Sequence, residues 1–188
     1  MVTGPSGSGK TTLLNLLGGL DRPTSGEVLL DGDMVLSAMS EADVLTARRD
    51  RIGYVFQTFG LIPVLSAAEN VETPLRLQGT DPAERGSRVV ATLERVGLAR
   101  HAHQRPHELS GGQQQRVGVA RALVGDPDIL IADEPTGQLD SDTAATIMDL
   151  IVELTHERGL ASVISTHDPL LIARADRVVR LLDGEVTA

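Results

Sequence analysis

The spacing of apolar positions changes along this chain, and each change marks an element. Met1-Val2-Thr3 reads as the tail of a strand. After Lys10, leucines at 13, 14, 16, 17 and 20 predict a mostly buried helix over 10–20 that ends near Gly18-Gly19. Residues 27–36 read as two short strands about Asp31-Gly32, a strong two-residue turn signal. Residues 51–57 read as a strand that ends at a glutamine and runs into a loop. From about Ala67 to Asp126 the pattern is helical throughout. Asp81-Pro82 starts one of those helices, with Val89, Val90, Leu93 and Val96 as its stripe. Ser110 can cap another, carrying Gln113 to Val124. Strand character returns at 129–132. A long helix over 141–158 is closed by Gly159, and a further strand covers 161–166. A helix starts near Pro169, and a hairpin at 177–186 turns about Asp183-Gly184.

Strands alternating with helices predict an α/β fold: a mainly parallel sheet with crossover helices. The helical stretch predicts a lobe inserted into that core. The expected organisation is a single domain, with 1–66 and 127–188 as the core and about 67–126 as the helical part. A length of 188 residues suits one domain. The formal net charge of −9 argues against a nucleic-acid partner, which would call for a basic face. With no cysteine, disulfides and thiolate metal sites are excluded, which fits a reducing compartment. No apolar run approaches the ~20 residues of a membrane-crossing helix, and the N-terminus lacks a signal-peptide pattern. Any membrane link is therefore expected to come through a partner. Arginine supplies all the basic side chains but one, and the exception is Lys10. A compact ammonium on a flexible stem reaches between phosphates where a planar guanidinium fits less well.

Lys10 belongs to a run that matches the phosphate-binding loop G-x-x-x-x-G-K-[ST] at every fixed position. The run is Gly4, Pro5, Ser6, Gly7, Ser8, Gly9, Lys10 and Thr11, followed by Thr12. Glycines let consecutive backbone N–H groups converge on phosphate oxygens at a helix N-terminus, and the Thr11 hydroxyl can reach Mg²⁺. Asp133 and Glu134 end a buried apolar strand. Neighbours on a strand point to opposite sides, which allows these carboxylates two separate roles. Ser110, Gly111 and Gly112, leading into Gln113, place N–H groups and a hydroxyl at a second helix start. Nothing else on the chain needs a second anion site. His101, His103 and His107 lack acidic partners at ligand spacing and read as a surface loop rather than a metal site.

Three stretches together carry a family resemblance: the phosphate loop, L-S-G-G-Q at 109–113, and I-L-I-A-D-E-P-T-G-Q-L-D at 129–140. The chain resembles the nucleotide-binding subunit of an ABC transporter, from its first residue to its last. That resemblance implies a P-loop NTPase core, ATP and Mg²⁺ as cofactors, and an integral membrane transporter subunit as partner. It places the chain peripherally on the cytoplasmic face of the inner membrane. It implies Asp133 on Mg²⁺, Glu134 as general base for the attacking water, Gln57 on Mg²⁺ and water, and His167 on the γ-phosphate. It also implies head-to-tail dimers in which Ser110, Gly111, Gly112 and Gln113 of one copy close over ATP held by the other. Asp140 would then communicate across the dimer. Gln138 stands where the family more often has asparagine. L-L-G-G-L-D-R-P-T-S-G-E-V and A-E-N-V-E-T-P-L further resemble the branch that holds lipoprotein-releasing, macrolide-export and cell-division ATPases.

The competing readings are weaker. Chromosome-maintenance relatives separate the two nucleotide motifs with a long coiled coil, and no sustained heptads lie between Lys10 and Asp133. Translation-type relatives carry two cassettes, and this chain has one. A regulatory pseudo-ATPase would not keep Lys10, Glu134, Ser110 and His167 together. Family members also place two antiparallel strands and an adenine-stacking aromatic upstream of the phosphate loop, where this chain has three residues. The expectation for the chain as given is that most of those strands are missing and a sheet edge is exposed. ATP would then be held by its phosphates, with weak discrimination from GTP.

Overall fold

The computed structural model describes every residue except Asp31, Asp33 and Ala188. Its main sheet has six strands in the order β4-β5-β6-β1-β7-β8. These are β1 (Val2–Thr3), β4 (Ile52–Val55), β5 (Ile129–Asp133), β6 (Ala161–Ser165), β7 (Val179–Leu182) and β8 (Glu185–Thr187). Every pairing is parallel except the last, where β7 and β8 form the hairpin expected about Asp183-Gly184. Positive φ at both Asp183 (49°) and Gly184 (82°) gives that two-residue turn its hand. A separate two-stranded sheet pairs β2 (Leu29–Leu30) with β3 (Met34–Val35). Gly32 of its turn has φ 78°, while Asp31 lies outside the described residues.

The apolar run at 129–132 is apolar on consecutive residues because the sheet is covered on both faces. Ile129 and Ile131 join Val2, Ile52, Tyr54 and Val163 beneath helix α1 (Lys10–Leu17). Leu130 and Ala132 join Val55 and Ile164 beneath α5 (Gly111–Leu123) and α6 (Ser141–Arg158). The same cluster continues through Val71 and Leu75 of α3 (Ala67–Leu77) and Val89 and Leu93 of α4 (Pro82–Arg95). The helices between β4 and β5 therefore share one apolar core with the sheet.

Several sequence expectations need adjustment. Helix α1 ends at Leu17; only Leu14 of its leucines is fully buried, and Leu20 is exposed beyond the helix. Val90 leaves the predicted stripe of α4, because Val89, Leu93 and Val96 already occupy the i, i+4, i+7 face and Val90 lies about 100° round the helix from Val89. β4 is shorter than 51–57 at both ends. Arg51 closes helix α2 (Glu41–Arg51), an element the apolar pattern did not mark because only Val44 and Ala47 of it are buried. Its start is nonetheless written in the chain, since the Ser40 hydroxyl accepts the Asp43 N–H at 3.3 Å.

Helix α3 is held by a complete capping box. Ser66 Oγ accepts the Glu69 N–H at 3.3 Å, and the Glu69 carboxylate accepts the Ser66 N–H at 2.8 Å. The Ser66 N–H bond holds the Glu69 carboxyl below its ordinary pKa. Ser66→Ala is expected to destabilise the fold by about 1 kcal/mol. In a thermal melt this should lower Tm by roughly 2–4 °C for a chain of this size, and an unchanged melt would show that packing alone fixes α3.

Candidate functional site

Four strand ends meet at the carboxyl edge of the parallel sheet, where open α/β folds bind ligands. β1 runs into the glycine-rich loop, β5 into Glu134, β6 into Thr166-His167, and β4 ends two residues before Gln57. They surround a cleft of about 580 Å³ lined by Pro5, Ser6, Gly7, Gly9, Lys10, Thr11, Thr12, Gln57, Glu134 and His167. Gly4 and Ser8 lie behind this lining. A Cβ on Gly4 would run into the Leu181 carbonyl oxygen of β7 and come within 2.6 Å of Ser8 Oγ, so only glycine lets the loop leave β1 here. Gly9 caps α1 with φ 96°, a left-handed conformation that aims the helix N-terminus at the cleft.

Lys10 is the first residue of α1, and its side chain is buried. Its ammonium donates to the carbonyls of Gly4 (3.0 Å) and Pro5 (3.1 Å) and sits 3.4 Å from a Glu134 carboxylate oxygen. The other Glu134 oxygen lies 2.9 Å from His167 Nδ1. Glu134 thus bridges the phosphate-loop lysine and the exposed histidine. Asp133 is the last residue of β5 and sits one step behind the cleft wall, 8% exposed. Glu134 does not follow the strand alternation expected of it. The strand ends at Asp133, and Glu134 turns away with φ 42°, a left-handed backbone that costs energy for a residue bearing a Cβ. That turn, rather than strand pleat, points its carboxylate at Lys10.

A hydroxyl that sequence reasoning passed over joins the two acids. Ser165, fully buried at the end of β6, donates to Asp133 Oδ1 at 2.7 Å and accepts the Glu134 N–H at 2.8 Å. Its sequence signal was its place two residues before His167, on the strand beside the acidic one. Tyr54 was likewise unassigned. Its hydroxyl donates to Asn15 Oδ1 at 3.1 Å, and burial, then the charge of Asp133, pushes the phenol up to about 12. It stays neutral and ties β4 to α1.

The second group of predicted residues lies elsewhere. Ser110 caps α5 with a full capping box: its hydroxyl accepts the Gln113 N–H, and the Gln113 side-chain oxygen accepts the Ser110 N–H at 2.9 Å. The Gln113 amide nitrogen lies 3.3 Å from His101 Nε2, and the other nitrogen of that ring lies 2.6 Å from Gln104 Oε1. Asp140 caps α6 by accepting the Thr143 N–H at 3.0 Å, a bond that holds its carboxyl below the usual range. The two caps are neighbours, because a Cβ on Gly112 would come within 2.6 Å of the Thr143 methyl. None of Ser110, Gly111, Gly112, Gln113 and Asp140 lines the cleft. The segment after Gln57 connects the two groups. Phe59 and Gly60 take left-handed turns, and their carbonyls accept from half-buried Arg121 of α5 at 3.2 and 2.6 Å.

A phosphate loop, a strand-end acid pair and a serine-glycine helix start on one chain match a known family. A family model described as ABC transporter matches residues 1–137. The chain belongs to the ABC transporter family. This ATP-binding cassette is 47% identical to an uncharacterised ABC transporter ATP-binding protein of Thermotoga maritima, over 99% of its own length and 79% of that protein. It is 51% identical to the pyoverdine export ATP-binding/permease protein PvdT of Pseudomonas fluorescens, over 98% of its own length but 28% of PvdT. The cassette therefore spans little more than a quarter of that relative. Among solved structures, it matches a post-hydrolysis dimer of the ATP-binding cassette MJ0796 bound to ADP and Pi, with a TM-score of 0.90 at 45% identity. That match covers all of this chain and 82% of the other. The α/β fold and the ATP-binding class follow directly.

Proposed function

We propose that this cassette hydrolyses ATP with Mg²⁺ and that ATP closes two copies head-to-tail, driving an integral membrane transporter subunit at the cytoplasmic face of the inner membrane. One observation carries the reading: the phosphate cleft and the Ser110 helix start sit on one chain but not in one site. A single copy cannot use both on one nucleotide; two copies facing each other head-to-tail can. In that arrangement Ser110, Gly111, Gly112 and Gln113 of each copy reach the nucleotide on the other, with Asp140 beside the shared boundary. The solved MJ0796 cassette is described as dimeric with ADP and Pi, which supports the arrangement. PvdT is named as an export ATP-binding/permease protein, which supports coupling to transport and the export-linked branch. Among the described residues no helix is long and apolar enough to cross a membrane, so a separate membrane segment would supply the path.

Within the cleft, Lys10 and the loop N–H groups would bind the β- and γ-phosphates. Thr11, Asp133 and Gln57 offer hard oxygen donors of the kind Mg²⁺ takes, and among the described residues no cluster of His, Cys, Asp or Glu could hold a metal alone. Such a cation would complete its shell with phosphate oxygens and water, and it would neutralise charge on the phosphates. Glu134 would accept the proton of the attacking water, held in place by Lys10 and His167, and His167 would reach the γ-phosphate. Residues 67–126 would form the helical part that carries Ser110, with 1–66 and 127–188 as the nucleotide-binding core.

Mixing two inactive variants tests the shared site. Lys10→Ala removes one copy's phosphate grip, and Ser110→Arg blocks the other copy's helix start. In the mixed dimer one nucleotide site carries both lesions and the other carries neither, so ATPase activity should reappear. Full activity of Ser110→Arg by itself, as a monomer, would refute the arrangement.

A further inference from the structure

Ser165 lies in the middle of the sheet, where β6 is flanked by β5 and β1. Its Cα is paired with Asp133 on one side and with Val2, just before the phosphate loop, on the other. The hydroxyl has one hydrogen to give, and Asp133 Oδ1 takes it at 2.7 Å. A lone pair of the same oxygen then faces Glu134 and receives its N–H at 2.8 Å. Both bonds are thereby set in direction as well as place. The Glu134 N–H bond falls where the backbone enters its unfavourable turn, with φ 42° and a proline next in the chain. That turn swings the carboxylate to within 3.4 Å of Lys10 and 2.9 Å of His167.

We propose that Ser165 is a positioning residue for hydrolysis: its hydroxyl locks the Asp133 carboxylate and the Glu134 backbone together, so that the Glu134 carboxylate faces the attacking water. The proposal rests on Glu134 being the general base. Without the hydroxyl, the Glu134 N–H and Asp133 Oδ1 lose their partner in a buried place, and the turn loses its anchor. The Glu134 carboxylate then samples other directions, and a shift of about 1 Å at a catalytic group can cost as much as 10²-fold in rate. Without Mg²⁺, ATP binding depends on Lys10 and the loop, which neither hydrogen bond of the Ser165 hydroxyl reaches, so affinity in EDTA is retained and the loss falls on kcat.

The test compares Ser165→Thr with Ser165→Val, which add the same bulk but only one of which keeps a hydroxyl. Ser165→Ala guards against crowding by either. The readouts are kcat and KM for ATP, ATP affinity in EDTA, and hydrogen exchange of the Glu134 amide. The valine and alanine variants should lose about tenfold or more in kcat relative to threonine and the wild type. Their ATP affinity should stay within about twofold, and the Glu134 amide should exchange at least ~10-fold faster. Equal kcat and equal Glu134 exchange in the hydroxyl-bearing and hydroxyl-free chains would overturn the proposal, as would a fall in ATP affinity equal to the fall in kcat. Glu134→Gln in parallel separates the two claims. If it abolishes turnover while Ser165 substitutions do nothing, only the positioning role fails; full turnover by Glu134→Gln removes the general base and this role with it.

Discussion

Glu134→Gln is expected to bind ATP about as well as the parent chain while hydrolysing it at least ~10²-fold more slowly, the lower range for loss of a general base. Glutamine keeps the size and one hydrogen-bonding oxygen of the side chain, so the contact toward His167 and the shape of the cleft survive. It loses the negative charge that accepts a proton from water. The Lys10 ammonium, 3.4 Å away, keeps its bonds to the Gly4 and Pro5 carbonyls, so the phosphate grip is retained. A variant that binds but does not turn over should also accumulate the ATP-closed pair of cassettes. Steady-state phosphate release, nucleotide titration and sizing in ATP measure the three effects. Turnover near the parent rate would remove Glu134 from the role.

Lys10→Ala should act on binding instead. Its ammonium is the only lysine charge on the chain and is buried at the head of α1, within the wall of the cleft. A hydrogen bond to a charged group contributes about 1.5–3 kcal/mol, so ATP affinity should fall by roughly 10- to 100-fold. Loss of the ammonium also leaves Glu134 facing the incoming phosphates without its cationic neighbour, which adds repulsion to the missing attraction. Titration of labelled ATP gives the answer, and unchanged affinity would contradict the phosphate-loop assignment. Together the two variants separate binding from chemistry: lysine loss raises Kd, glutamate neutralisation lowers kcat.

The segments that build the candidate site were legible where a local pattern carries its own physical demand, whereas Gln57 and His167 stand alone in the chain and were read only through the family resemblance. Glycines at fixed spacing before a lysine, acids after a buried apolar run and a serine before paired glycines each describe one short segment. The same holds for the elements: β5, α6, the Asp183-Gly184 hairpin and the Asp81-Pro82 helix start fall within a residue or two of their predicted places. The α2 helix escaped because its stability comes from a cap and from only two buried side chains, too few to produce a period. Val90 was misassigned because the adjacent valines were read as one stripe, whereas only Val89 keeps the i, i+4, i+7 spacing with Leu93 and Val96.

Sequence determined the local chemistry: which segments could hold phosphate, which strand would be buried, which residues would cap helices. Tertiary structure decided what those segments meet. Ser165 lies 32 residues from Asp133 in the chain and becomes its neighbour only through parallel pairing of β5 with β6. The direction of the Glu134 carboxylate came from a left-handed turn that no strand rule anticipates. The separation of the Ser110 helix start from the cleft is likewise a matter of where α5 packs. Local patterns are set by neighbours along the chain. Long-range pairing is set by how the sheet and its helices bury their apolar faces, and only the folded chain expresses it.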